Sequence, residues 1–195
     1  MISLLCPCYN EEAVLPLFFE RITSVMEGIG QDFEIVCVND GSRDGTLDLL
    51  REQAEADERV KVVDLSRNFG KEAALTAALD HSTGDAVVPI DADLQDPPEL
   101  IGVMLEKWRE GYEVVLAHRS NRSSDSWLKR VTARMFYKVH NRISQPELPE
   151  NVGDFRLMDR RVVDALGGLR ETHRFMKGLF AWVGFKTCIV DYVRK

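Results

Sequence analysis

Five short apolar runs constrain this 195-residue chain more than any other feature: Ile2–Cys8, Phe33–Val38, Val60–Leu65, Val87–Ile90 and Glu113–Ala117. The first four each end in a polar turn, at Tyr9, Asn39, Ser66 and Asp91, and a stretch with helical spacing follows. Val14, Leu17, Phe18, Ile22 and Val25 mark the first helix, and Leu47, Leu49, Leu50 and Ala54 the second. The third is built from small residues, Ala73, Ala74, Thr76, Ala77 and Ala78, and is expected to lie tight against the core. Strands alternating with helices of roughly 10–15 residues predict βαβ units, an α/β class and a mostly parallel sheet. Right-handed crossovers would carry all four polar turns to one sheet edge.

At that edge one turn stands out, Ile90-Asp91-Ala92-Asp93-Leu94-Gln95-Asp96-Pro97-Pro98. Residues i and i+2 of a strand point the same way, so Asp91 and Asp93 could aim two carboxylates into the cleft at the strands' carboxyl ends, the usual ligand site of open α/β sheets. Hard oxygen ligands with room for water and phosphate suit Mg²⁺ or Mn²⁺. Taken alone, the pair is equally readable as solvated loop charge. Asp96, just before Pro97-Pro98, reads as a helix N-cap. Asp40, before Gly41-Ser42, could accept from a nucleobase or ribose, or make only an Asx-turn. Neither G-x-G-x-x-G nor a P-loop is present. His81, His118, His140 and His173 lack metal spacing. Cys6, Cys8, Cys37 and Cys188 form no zinc pattern and read as buried thiols acting as small hydrophobes.

Charge divides the chain. Residues 1–118 carry 9 Lys+Arg against 24 Asp+Glu, and residues 119–195 carry 16 against 8. The acidic balance argues against a nucleic-acid partner, while the basic half could meet phosphates or anionic lipid. Leu128, Val131, Met135 and Val139 recur at helical spacing, with Arg130, Arg134, Lys138 and Arg142 along another face. Such a basic amphipathic helix either lies on an anionic membrane surface or presents a solvated face over a core-facing stripe. A further helix is expected over 175–182 and a last strand over 185–193. No stretch approaches the ~20 apolar residues of a membrane span, and no signal-peptide pattern opens the chain; the chain as it stands is expected to be soluble and cytosolic.

Pro7-Cys8-Tyr9-Asn10-Glu11, Val38-Asn39-Asp40-Gly41-Ser42, Arg67-Asn68-Phe69-Gly70-Lys71 and Asp91-Ala92-Asp93-Leu94-Gln95-Asp96-Pro97-Pro98-Glu99 together resemble family 2 glycosyltransferases with the GT-A fold. The likeness covers essentially the whole chain and is greatest to the polyprenyl-phosphate glycosyltransferases. Gly153-Asp154-Phe155-Arg156 and His173-Arg174-Phe175-Met176-Lys177-Gly178 resemble the bactoprenol branch more than the dolichol-phosphate mannosyltransferase branch. The resemblance implies a Rossmann-like, mostly parallel sheet flanked by helices in a single GT-A domain over 1–195, with a nucleotide-sugar half (1–118) and an acceptor-side half (119–195). It implies that Pro7, Tyr9, Asn10, Glu11, Asp40, Lys71, Asp91 and Ala92 hold the nucleotide-sugar, and that Asp91, Asp93 and Gln95 surround Mg²⁺ or Mn²⁺. Arg119, Arg130 and Arg156 match positions that meet the acceptor phosphate, and Asp154 matches the catalytic carboxylate.

The implied reaction is inverting transfer of a hexose, with UDP-glucose the preferred donor, to polyprenyl (undecaprenyl) phosphate. It belongs to cell-envelope glycan biosynthesis at the cytoplasmic face of the membrane, and a homo-oligomer is left open. GDP-mannose to a dolichyl-type phosphate, extension of a polysaccharide, and a nucleotide-sugar-binding module without activity are the alternatives; the Gln-x-x-Arg-Trp motif usual for polysaccharide extension is not seen. Bactoprenol-branch enzymes generally continue into transmembrane helices, so this chain is expected to be a cut-down soluble domain.

Overall fold

A computed structural model of the chain describes residues 1–119, 152–168 and 184–192. The order is β1 (Ile2–Cys8), α1 (Leu15–Ile29), β2 (Phe33–Asn39), α2 (Thr46–Ala56), β3 (Val60–Asp64), α3 (Lys71–His81), β4 (Ala86–Pro89), α4 (Leu100–Arg109), β5 (Val114–Arg119), β6 (Val152–Asp159), α5 (Arg160–Gly167) and β7 (Thr187–Tyr192). The helices expected over 126–143 and 175–182, with Arg130, lie outside the described residues.

The strands form one sheet, ordered β3-β2-β1-β4-β6-β5-β7. β1 pairs in parallel with β2 and β4, β2 with β3, and β5 with β7. β6 runs antiparallel to both β4 and β5. Side chains that alternate across the sheet build two cores, as a sheet covered on both faces requires. Leu4, Ile35, Val88 and Leu157 pack under α1 and α4 with Phe18, Ile22, Met26, Ile101 and Met104. Leu5, Val36, Val87 and Met158 pack under α3 and α5 with Ala74, Leu75, Ala78, Leu79 and Val162. The mostly parallel, helix-flanked sheet is the expected one, and α3 does bury its small face.

Three expectations change. Phe18 and Ile22 are buried as expected, but Leu17 is 60% exposed while Leu15, Phe19 and Met26 are buried, so the α1 stripe is rotated from the expected one. The aspartates of the fourth turn lie beyond β4, which ends at Pro89, so strand alternation does not aim them. Asp96 is no cap. Glu99 holds the N-cap position of α4, and Asp96 instead accepts a hydrogen bond from the Tyr192 hydroxyl of β7.

At the opposite end of the sheet a buried Glu34 on β2 accepts from Ser3 Oγ (2.6 Å) and Thr83 N (2.6 Å), and pairs with Lys61 Nζ (2.5 Å). Burial alone would raise its pKa, but these donors outweigh burial and hold it at about 2.

Candidate functional site

Strand order dictates where the site lies. Successive crossovers place β2 and β3 on one side of β1 and β4 on the other, so the order reverses between β1 and β4. At such a switch point the outgoing chains diverge and leave a crevice at the carboxyl edge. β4 pairs with β1 only from Ile2 to Leu5, and Ile90 N donates to Leu5 O at 2.9 Å as the last rung. Pro7, two residues on, faces the same side, where no ladder bond is required of it, so its missing N–H costs nothing.

The four loops at this edge are fastened in series. Asn10, held at φ 57°, accepts from Arg43 N (2.8 Å), and its own N–H donates to Ser42 Oγ (3.0 Å). Glu11 N donates to Thr46 Oγ1 (2.8 Å), and Glu12 Oε2 accepts from Gly45 N (2.9 Å). Asp40, buried, accepts from Phe69 N (2.7 Å) and Gly70 N (2.9 Å). Gly41, at φ +65°, lies so close to the third loop that a Cβ there would sit 2.4 Å from Arg67 C. Lys71, first residue of α3, places Nζ 2.8 Å from the Asp91 carboxylate and 3.3 Å from Asp154 Oδ2.

Between these loops lies a cleft of about 310 Å³, the lower end of ligand-pocket volumes. Its walls come from the end of β1 (Pro7, Cys8, Tyr9, Glu11), from Asp40, from the third loop and α3 (Asn68, Gly70, Lys71) and from Asp91, Ala92 and Asp93. Beside it a recess of about 10 Å³, the size of one water, joins Lys71 and Asp91 to Asp96 and Asp154. Burial raises the pKa of Glu11, and the carboxylates of Asp93, Asp91 and Asp44 add to that rise. Negative charge is therefore concentrated on this wall. Burial works against the Lys71 ammonium, but Asp91 and then Asp154 outweigh it and raise its pKa.

The structure thus gathers Pro7, Tyr9, Glu11, Asp40, Lys71, Asp91, Ala92 and Asp93 around one cleft, with Asp154 at its side. Gln95 is exposed and does not line the cleft; its N–H donates to Asp93 Oδ1 (3.0 Å), which shapes the turn. Asn10 fastens the first loop to the second and does not line the cleft. Arg119 closes β5. Arg156 is no surface charge: it is buried on β6, where burial lowers its pKa to about 10 against the favourable charges of Asp154 and Glu72. A pKa of about 10 leaves its guanidinium charged at neutral pH. Sequence reasoning missed Tyr192, which ties Asp96 to β7. Only its alternation along the last strand hinted at a defined direction.

The donor chemistry suits a divalent cation: Asp91, Asp93 and Glu11 place hard carboxylate oxygens on one wall of the cleft, and Asp91 already holds one cationic atom, the Lys71 ammonium.

Residues 3–167 match the family model described as Glycosyl transferase family 2. An uncharacterised glycosyltransferase of Synechocystis sp. is 52% identical over 194 residues, which cover 100% of this chain and 61% of that protein. A prophage bactoprenol glucosyl transferase homolog of Escherichia coli is 52% identical over 193 residues, 99% of this chain and 63% of that protein. Among solved structures, a mannosyltransferase from Pyrobaculum calidifontis in complex with GDP-Man and Mn²⁺ is 25% identical with a TM-score of 0.63, covering 98% of this chain and 55% of that one. The chain therefore spans 61% and 63% of the lengths of these two curated relatives. No helix among the described residues is long and apolar enough to cross a membrane. Sheet order, switch-point cleft and family match agree: the chain belongs to glycosyl transferase family 2.

Proposed function

We propose that this chain is the catalytic portion of an inverting, metal-dependent hexosyltransferase, moving glucose from UDP-glucose to a polyprenyl (undecaprenyl) phosphate. The observation that carries the reading is the convergence of Asp91, Asp93 and Lys71 on one cleft at the β1/β4 switch point, with Asp154 beside it. The 52% identity to the bactoprenol glucosyl transferase homolog supports the choice of sugar and acceptor. The likeness to a mannosyltransferase solved with Mn²⁺ supports a divalent cofactor, Mg²⁺ or Mn²⁺.

In this reading Pro7, Tyr9, Glu11 and Asp40 surround the base and ribose. Asp91 and Asp93, with Gln95 beside them, would hold the cation, which when bound offsets charge gathering on the departing diphosphate. Lys71 turns its ammonium from Asp91 toward the donor diphosphate. An anionic lipid phosphate needs no strong base, so Asp154 orients the acceptor and stabilises the developing positive charge at the sugar. Arg156, held charged behind Asp154, sets that carboxylate's field, and Arg119 and Arg130 meet the acceptor phosphate. The basic residues 119–142 would rest on an anionic membrane face, whatever further segments the whole protein carries.

Incubation of the full-length protein with labelled UDP-glucose or GDP-mannose, polyprenyl phosphate and Mg²⁺ or Mn²⁺ tests this. Lipid-linked glucose is expected; its absence with every donor and metal refutes the reading.

A further inference from the structure

Beneath the cleft floor three sulfurs meet that no part of the proposed transfer uses. Cys6 and Cys8 alternate on β1 and so face the same side of the sheet. Cys37 on β2 stands in register beside Cys6. Cys6 Sγ and Cys8 Sγ are 3.6 Å apart, and all three Sγ atoms lie within 4.8 Å of one another. All three are buried, Cys6 and Cys37 completely, but Cys8 also lines the cleft, which gives a small solute a way in.

We propose that Cys6, Cys8 and Cys37 form a three-thiol site for a soft, thiophilic ion, and that it takes trivalent metalloids in preference to divalent metals. The distances fit. A trivalent metalloid keeps a lone pair and holds three thiolates as a pyramid, so with bonds of about 2.3 Å and angles of about 100° its sulfurs stand about 3.5 Å apart; the Cys6–Cys8 pair at 3.6 Å nearly matches this, and a gap at the 4.8 Å limit closes by about 1.3 Å. Soft thiolates select soft ions, unlike the hard oxygens of Asp91 and Asp93 above them, so the two sites do not compete for one ion. Charge decides the valence. A divalent ion with three thiolates leaves one negative charge in an apolar core, beneath the carboxylates of Asp91 and Asp93 on the cleft wall. Such a buried charge is costly without a partner. A trivalent centre with three thiolates is neutral.

With arsenite the step is a condensation. Three As–O and three S–H bonds break, three As–S bonds form, and each thiol proton leaves with a hydroxyl group as water, with no change of oxidation state. Cys8 meets the incoming solute first, because of the three thiols it is the one that lines the cleft.

The test uses the intact protein carrying Cys188→Ala, which removes the fourth thiol from β7. Native mass measurement with arsenite is expected to show one arsenic per chain and the loss of three thiol protons. The melting temperature should rise with arsenite concentration. Cys6→Ala, Cys8→Ala and Cys37→Ala should each weaken binding roughly tenfold or more, since loss even of an outer-shell partner has that effect; Cys37→Val replaces Cys37→Ala if the latter does not fold. Cd²⁺ should bind at least roughly tenfold more weakly than arsenite, the lower bound for a ligand-level effect. No adduct, or undiminished arsenite affinity in any one folded variant, overturns the three-thiol site. Cd²⁺ binding as tight as arsenite overturns the valence preference.

Discussion

Asp40→Ala separates two roles that one carboxylate could serve. Its position before Gly41 suggested a nucleotide contact, yet both oxygens are engaged by the third loop, from Phe69 N at 2.7 Å and Gly70 N at 2.9 Å. Hydrogen bonds to a charged acceptor contribute about 1.5–3 kcal/mol each. Phe69 is 49% exposed, so water can reclaim part of the loss once the loop moves. A net cost of about 2–4 kcal/mol follows, which lowers the melting temperature of a chain this long by roughly 5–15 °C. The local readout is sharper. Amide exchange at Phe69 and Gly70 should accelerate, while amides of β2 ahead of Asp40 keep their relative order of protection. Asp40→Asn recovers at most one bond, because its amide nitrogen cannot accept. If Asp40→Ala melts within about 1 °C of the parent and leaves those two amides as slow as before, the clamp does not exist.

Glu34 gives the pH dependence. Its pKa of about 2 lies below the ordinary 4.5, so its contribution is full above 4.5 and is lost as pH falls toward 2. That contribution is about 3 kcal/mol, and acid titration of Glu34→Gln should show a flatter stability curve through this window; an unchanged curve refutes the assignment. Gly41→Ala combines a left-handed φ with a Cβ 2.4 Å from Arg67 C and should cost at least about 2 kcal/mol by thermal melting. Asp93 is exposed, so Asp93→Ala should change stability by no more than about 0.5 kcal/mol yet abolish metal-dependent binding of UDP, read by calorimetry. Lys71→Met frees Asp91 and should raise Mn²⁺ affinity in the absence of nucleotide a few-fold, as expected for a half-exposed ion pair, while weakening UDP-glucose binding. Spin-resonance titration of free Mn²⁺ distinguishes this from no competition, where both proteins bind alike.

The first half of the fold is legible because each strand there is a continuous apolar run and each turn is rich in Gly, Asn or Asp. Those are local signals, and they placed β1 to β5 and the four loops. β6 carries Asp154, Arg156 and Asp159 within eight residues, so no continuous apolar run announces a strand, and the alternation Asp154-Phe155-Arg156-Leu157 is short. Its charged residues are tolerated because Asp154 reaches Lys71 and Asp159 accepts from Trp108 Nε1 at 2.8 Å. The Asp96 cap failed for a related reason. A cap is a local inference, and the partner that claims Asp96 is Tyr192, 96 residues away in β7. The thiol cluster was hidden in the same way, since Cys37 meets Cys6 only through the parallel register of β1 and β2.

The reversal of β6 explains how a residue so distant in sequence joins the cleft. In a parallel sheet every strand presents its last residues at the carboxyl edge, which is why the first four loops meet there. A strand running the other way presents its first residues at that edge. β6 begins at Val152 and pairs antiparallel with β4 through Met158 and Asp159 against Val87 and Ala86, far from the cleft. Its opening residues therefore extend past the end of β4, and Asp154 lands beside Asp91, close enough for one ammonium to bridge both carboxylates. In the proposed reading, a donor held by the parallel loops and an acceptor on the β6 side would meet across Lys71, which bridges Asp91 and Asp154. A strand inserted in the parallel sense would have put Asp154 at the opposite edge of the sheet, away from Asp91 and Lys71.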